Sequence, residues 1–309
     1  MANEAEYRLA NSIFLEHIST PGMEKKALDA VNDFTRLKLR EEGAWRRVMN
    51  PVQVQNSDLD RMVHTAKPAI IVDMEPDSPA SFCVPFGSLP LNIHIRGPRY
   101  LVPFAEIQGP RFFGHVNELR TWEMDIRQIL LDNTIKDMMA KEDQALLSGI
   151  DTALGGAPNT LMPYMQIPQW FTLSGGLRRH TLVTAFQQMP KFGTRTEVHT
   201  VLVNNVTYRE FQKWDRIELG GDLSQDMITK GIREFEFDGA RWVVSIKRDL
   251  IPDNTIYMFS DPSFIGKAYI LDDITLYMDR KAGMLEFYPY ETVGSAFGHV
   301  GGLGRVDFE

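Results

Sequence analysis

Apolar and polar positions change period several times along this chain, and each change predicts an element. Between residues 4 and 42 the apolar residues Leu28, Val31, Phe34 and Leu37 step by three and Gly43 follows as a stop, which predicts a helical arm. So narrow a stripe can dock on another chain as readily as on its own. From Pro76 to Pro110 lie seven of the protein's seventeen prolines, a density that forbids helix and interrupts sheet ladders. Between them "LNIHIRG" and "YLVPFAEIQG" still alternate, as a long edge hairpin would. Residues 49–108 therefore predict a protruding extended loop with no compact core, stabilised by something outside itself.

Asn117 then opens the strongest helical pattern. Leu119, Trp122, Ile126, Ile129, Leu130, Met138, Met139 and Leu146 form its stripe, and Gly149 is the predicted stop. About thirty residues at 1.5 Å each span roughly 45 Å, which predicts an elongated subunit. After a linker rich in Gly and Pro, "LRRHTLVTAFQQMP" predicts a second amphipathic helix ended by Pro190, and "TEVHTVLVNN" a strand. That strand runs into "VLVNNVTYREFQKW". Thr207 with Glu210 matches a capping box there and Val206 is placed to staple onto Phe211, so a helix is predicted to begin near Tyr208 and to lay Phe211 and Trp214 on a sheet. "REFEFDGARWVVSIKRDLIP" predicts a hairpin turning at Asp238-Gly239. "TIYMFSD", "AYILDDITLYMD" and "MLEFYPYETVG" read as further strands, and "GHVGGLGRVDF" as a last strand after a glycine turn.

Composition narrows the class. With 43% hydrophobic and 24% charged residues the 309-residue chain is neither disordered nor a membrane protein by composition, and its N-terminus lacks the basic then apolar layout of a signal peptide. Cys83 is the only cysteine, which excludes an internal disulfide and a thiolate metal cluster and suits a reducing cytoplasm. A net charge of −8 weighs against a protein whose main work is to grip phosphate backbones, so any contact with nucleic acid is expected to be weak.

Candidate chemistry is sparse. The opening of the Tyr208 helix has neither the glycines that expose a nucleophile on a strained turn nor a glycine-rich phosphate cradle. "GHVGGLG" has the wrong glycine spacing for a dinucleotide fingerprint and no helix after it. His17, His64, His94, His115, His180, His199 and His299 are scattered singly, without metal-ligand spacing. Cys83 sits in the proline-rich loop, where a thiolate would lack a rigid scaffold. Glu142-Asp143 and Asp272-Asp273 read as solvated acids. Asn205-Val206-Thr207 matches a glycosylation sequon, which needs an export signal to matter. The sequence therefore predicts no catalytic, cofactor-binding or metal-ligating residue and no cofactor. A chain of this size with an extended loop and a helical arm is built to touch copies of itself.

In this order of elements the chain resembles the major capsid proteins of tailed double-stranded DNA bacteriophages, the Hong Kong 97-type fold. "EMDIRQILLDNTIKDMMAKEDQALLSG" is similar to the spine helix of that family and "VLVNNVTYREFQKW" to its axial strand and helix. "TIYMFSDPSFIGKAYILDDITLYMD" with "YETVGSAFGHVGGLGRV" is similar to the closing peripheral strands and the return to the axial domain. The resemblance implies an α+β fold divided as N-terminal arm 1–48, extended loop 49–108, peripheral domain with spine helix 109–178, axial domain 179–255, peripheral strands 256–290 and return to the axial domain 291–309. It implies a structural, non-enzymatic protein that self-assembles as pentamers and hexamers into an icosahedral head enclosing double-stranded DNA. Its location would be the virion capsid, assembled in the host cytoplasm. Expected partners are further copies of the chain and packaged DNA through weak non-specific contact, with no membrane; the resemblance leaves open either a separate scaffolding protein or none, and portal and decoration proteins as further partners. Relatives that carry a long cleaved scaffolding segment differ from this chain, whose arm is about 45 residues with no obvious cleavage site, and no cross-link is expected at Lys67. Two other readings stay open: an encapsulin-like nanocompartment shell of the same fold, and an enzyme whose site assembles only in three dimensions.

Overall fold

The protein is described from a computed structural model covering residues 12–13, 15–16, 43–61, 67–73, 83–87, 99–119, 126–156, 169–191, 196–214, 234–245, 250–281 and 283–309. The expected arm helix lies almost wholly outside these residues, and of the proline-rich stretch only residues 83–87 and 99–110 are described.

The early described elements are helix α1 (Ala44–Met49) and the short strands β1 (Val52–Gln53) and β2 (Asp60–Arg61). Strand β3 (Pro68–Asp73) pairs antiparallel with β4 (Arg99–Pro103), so the loop is a hairpin at its base, with β2 on its outer side. That base has a small core: Val54, Ile70 and Phe104 are buried together against Tyr269 and Leu271. The expectation that this region holds no core of its own is thus corrected at its root, because Phe104 ends one strand and faces the body before the next begins.

Strand β5 (Ala105–Gln108) leaves the loop sheet and joins a second sheet, where β6 (Phe112–His115) also lies. Its long members, completing the order β1-β12-β13-β5, are β12 (Gly266–Lys281) and β13 (Met284–Phe297). Helix α2 (Val116–Leu119) and helix α3 (Ile126–Ala153) come between, α3 packing beside this sheet. At 28 residues α3 is roughly 42 Å long. It runs through Gly149, which is not the stop. A Cβ at Gly149 would meet the Phe297 ring at 3.1 Å, so the glycine serves close packing, and the helix ends instead where Gly155 and Gly156 take positive φ.

The third sheet has six strands in the order β7-β14-β11-β8-β10-β9. These are β7 (Trp170–Leu173), β8 (Thr200–Asn204), β9 (Glu234–Phe237), β10 (Ala240–Ser245), β11 (Thr255–Phe259) and β14 (Leu303–Phe308). Asp238 and Gly239 both have positive φ, as the two-residue turn joining β9 to β10 requires. β8 is buried at all five positions because it is central and covered on both faces. Val201 and Val203 join the core under helix α4 (Arg179–Phe186), while Leu202 faces the core shared with α1 and α3. β7 and β11 both hydrogen-bond within this six-stranded sheet, which carries residues 170–173 and 255–259 into the same unit as β8.

Helix α5 (Asn205–Tyr208) continues as a tighter 3-10 turn over Arg209–Lys213. Asn204 is its cap, its side chain accepting from the Thr207 N–H at 2.7 Å. The predicted cap, Thr207, is one turn inside and fully buried, its hydroxyl accepting from the Asn254 N–H at 2.8 Å. Val206 is exposed while Phe211 is buried, so the expected staple does not form; Glu210 pairs with Lys213. Phe211 and Trp214 do lie on the sheet, their rings 4.5 Å apart and packed on Trp242 and Phe237. A last short helix, α6 (Pro262–Ile265), leads into β12, capped by Asp261.

Candidate functional site

Arg46 draws three carboxylates into the interior where α1, α3 and the long sheet meet. Ala44, Trp45, Val48 and Met49 seat α1 in one apolar cluster with Leu146, Leu147 and Ile150 of α3, which carries the guanidinium inward. Arg46 Nη2 lies 2.8 Å from Glu142 Oε1 on α3 and 3.1 Å from Glu291 Oε2 on β13. Its Nη1 lies 3.2 Å from Asp273 Oδ1 on β12. Arg46, Glu142 and Glu291 are 5%, 1% and 0% exposed, so the charges are compensated by one another rather than by water.

Local backbone geometry aims these groups. Between the pairs Asp272–Thr292 and Thr275–Tyr290 the β12–β13 ladder slips, leaving Asp273 and Ile274 opposite the single residue Glu291. This bulge turns Asp273 toward Arg46 while Ile274 is buried beside Met138 and Met139. Asp143, next to Glu142, accepts the Trp45 backbone N–H at 2.9 Å. Gly43 at the start of α1 has no side chain to cap the helix, so α3 supplies the acceptor from across the fold.

Burial works against the Arg46 charge, but Glu142, Asp273 and Glu291 outweigh it and raise the guanidinium's pKa. Burial also pushes the Glu142 carboxyl up, opposed by Arg46. Glu291 is pushed up to about 9, by burial first and then by the neighbouring Glu142 carboxylate, with Arg46 only partly opposing. Burial and the adjoining Glu142 carboxylate thus both favour a proton on Glu291.

A second buried cation ties the far end of α3 to the six-stranded sheet. Arg305 on β14 stacks 3.9 Å over the Trp170 ring and places Nη1 3.0 Å from Asp151 Oδ1 near the end of α3. Tyr257 donates its hydroxyl to Asp151 at 3.2 Å, and burial, then the Asp151 charge, raises its pKa. Both clusters fasten elements together. Neither has a nucleophile beside a base.

The acids at 142–143 and 272–273 were expected to be solvated, and three of the four are not. Glu142 and Asp143 are buried, Asp273 is turned inward, and only Asp272 is exposed. The missed signal is spacing: Glu142 is four residues after Met138 and four before Leu146, on the buried stripe itself. Cys83 is exposed in the loop. His115 lies on β6 and His180 on α4, His199 just precedes β8 and His299 the 3-10 turn before β14, and the other three histidines lie outside the described residues. Among the described residues no group of His, Cys, Asp or Glu is arranged to hold a metal ion, and no helix is long and apolar enough to cross a membrane. The "GHVGGLG" stretch forms a 3-10 turn and the start of β14, where a Cβ at Gly302 would collide with Ser260.

No family model matches the chain, and no curated protein matches it in sequence. Solved structures do match it. The asymmetric unit of the bacteriophage PhiM1 mature capsid superposes with a TM-score of 0.57 over 86% of this chain and 87% of its own, at 10% identity. The capsid of a native GTA particle gives 0.56 over 86% and 89%, at 15% identity. The capsid of Cyanophage P-SCSP1u gives 0.55 over 81% and 85%, at 12% identity. Identities this low carry the fold and leave sequence kinship unmeasured, yet the match takes in most of both chains in each case. The chain has the mixed α+β fold of bacteriophage capsid proteins.

Proposed function

We propose that this chain is a major capsid protein of the Hong Kong 97-type fold, a structural subunit that self-assembles into an icosahedral head around double-stranded DNA. The observation that carries this reading is the match to phage capsid subunits over most of the chain, combined with the exposure of residues 83–87, which lie in sequence between β3 and β4. Phe86 is fully exposed, Val84 is half-exposed, and a second copy is the natural cover for them. In this reading α3 is the spine helix, the β12–β13 sheet is the peripheral domain, the six-stranded sheet is the core of the axial domain and residues 49–108 are the extended loop. Its interactions are then with other copies in pentamers and hexamers, with scaffolding, portal and decoration proteins, and weakly with DNA. Assembly takes place in the host cytoplasm and the product is the virion shell.

Electron microscopy of the purified full chain, expressed with and without a candidate scaffolding protein, tests this. Closed shells with five-fold and six-fold clusters are expected. A chain that stays monomeric at high concentration in every arm overturns the reading. Shells filled with a protein cargo, where DNA is expected, would identify a nanocompartment.

A further inference from the structure

We propose that Glu142 and Glu291 hold one proton between them and that this proton latches α1, and with it the entry of the N-terminal segment, onto α3 and the long sheet. Four observations support it, and none depends on the capsid reading. Both carboxylates approach the same nitrogen, Arg46 Nη2, at 2.8 and 3.1 Å, so they are neighbours in a site closed to water. The remaining oxygen of Glu291, Oε1, is buried with no donor directed at it, which is costly for a carboxylate and is relieved when that carboxyl carries a proton and donates it to Glu142. The β-bulge adds Asp273 to the same guanidinium, so Arg46 alone cannot neutralise the site. Finally, Glu291 has its pKa raised to about 9, which keeps it protonated at neutral pH.

Among the described residues Arg46 is the one cation that pairs with Glu291. α3 contributes Glu142 and Asp143, β12 contributes Asp273 and the exposed Asp272, and the neighbouring strand β5 contributes only the exposed Glu106, with Ile107 opposite Glu291 itself. Among the other elements beside α1, β10 carries Arg241, paired in register with Thr200 in the other sheet, and α6 is preceded by Asp261, which is committed to Ser263. Loss of the proton therefore adds a negative charge to a site that is closed to water. The least expensive response is for α1, short and held by Arg46 and the Asp143 cap, to lift and let water in.

Hydrogen exchange of the full chain tests the latch. Protection of the backbone amides of residues 44–49, with labelling times scaled for intrinsic exchange, is followed from about pH 6 to about pH 10. In the parent chain it is expected to fall at least about tenfold across that range, while in Glu291→Gln it stays flat, because the amide keeps the neutral donor permanently. Equal slopes in the two proteins, or a flat parent, overturn the proposal. Should Glu291→Gln not fold, infrared spectroscopy of the parent decides: a protonated-carboxyl band at neutral pH, lost on titration to about pH 10, is expected. Its absence at neutral pH also overturns the proposal.

Discussion

Asn204 serves two masters at once: its Oδ1 accepts the Thr207 N–H at 2.7 Å while its Nδ2 donates to Asp253 Oδ1 at 2.8 Å and to Ile251 O at 3.1 Å. One fully buried amide thus ends β8, starts α5 and fixes the turn that precedes β11. Asn204→Ala removes the cap and leaves buried acceptors unpaired, for an expected loss of about 2 to 3 kcal/mol in chemical denaturation. Asn204→Asp keeps the cap, loses the donor and faces Asp253, and is expected to be hardly better. An Asp variant as stable as the parent would show that the donor side contributes nothing.

Trp214 is buried, lies tilted against Phe211 and donates its indole N–H to Leu177 O at 3.0 Å. Trp214→Ala opens a cavity over the six-stranded sheet, with an expected cost of about 3 to 5 kcal/mol. A measured cost below about 1 kcal/mol would mean that the ring contributes little to that core.

These two residues show what the sequence could and could not reveal. Trp214 was legible because Phe211 and Trp214 stand three apart in an otherwise polar stretch, and the Asp238-Gly239 turn because only residues tolerant of positive φ fit there. The cap was misplaced because Thr207 and Glu210 satisfy the local motif, whereas Asn204 wins through partners 47 to 49 residues away. Long-range partners also explain Gly149: a glycine in a helical pattern reads as a stop unless Phe297 is known to press on it. The Arg46 site was illegible for the same reason, since its members are drawn from residues 46, 142, 273 and 291 and meet only through a bulge.

The same site sets a pH dependence for global stability. Glu291 has its pKa raised in the folded state to about 9, against the ordinary glutamate value of 4.5 expected in the unfolded chain, so between those values the folded protein holds a proton that the unfolded chain has lost. Its contribution is fully present below the unfolded pKa and is lost as pH rises through the folded one, with a slope of at most about 1.4 kcal/mol per pH unit. Urea unfolding of the parent across about pH 5 to about pH 9 is expected to show this decline over the balance of all other groups. In Glu291→Gln the difference from the parent should grow steadily in favour of the variant as pH rises. A difference that does not change with pH would place the proton elsewhere.

In the capsid reading, the segment between β3 and β4 is expected to serve assembly rather than folding. Its base is fixed by β3–β4 pairing and by Val54, Ile70 and Phe104 against the body, whereas Phe86 is fully exposed to water. Phe86→Asp should therefore leave the melting temperature of the free subunit within experimental error, since an exposed ring contributes little to folding. Replacing residues 76–98 with a short Gly-Ser linker should likewise preserve the fold, because the cost of closing a loop changes slowly with its length. Both changes should abolish closed shells in electron microscopy, by putting a charge into an interface between copies or by deleting it. Unfolding of the shortened chain would make the segment part of the subunit's own core, and normal shells from both variants would mean that copies hold together through other surfaces.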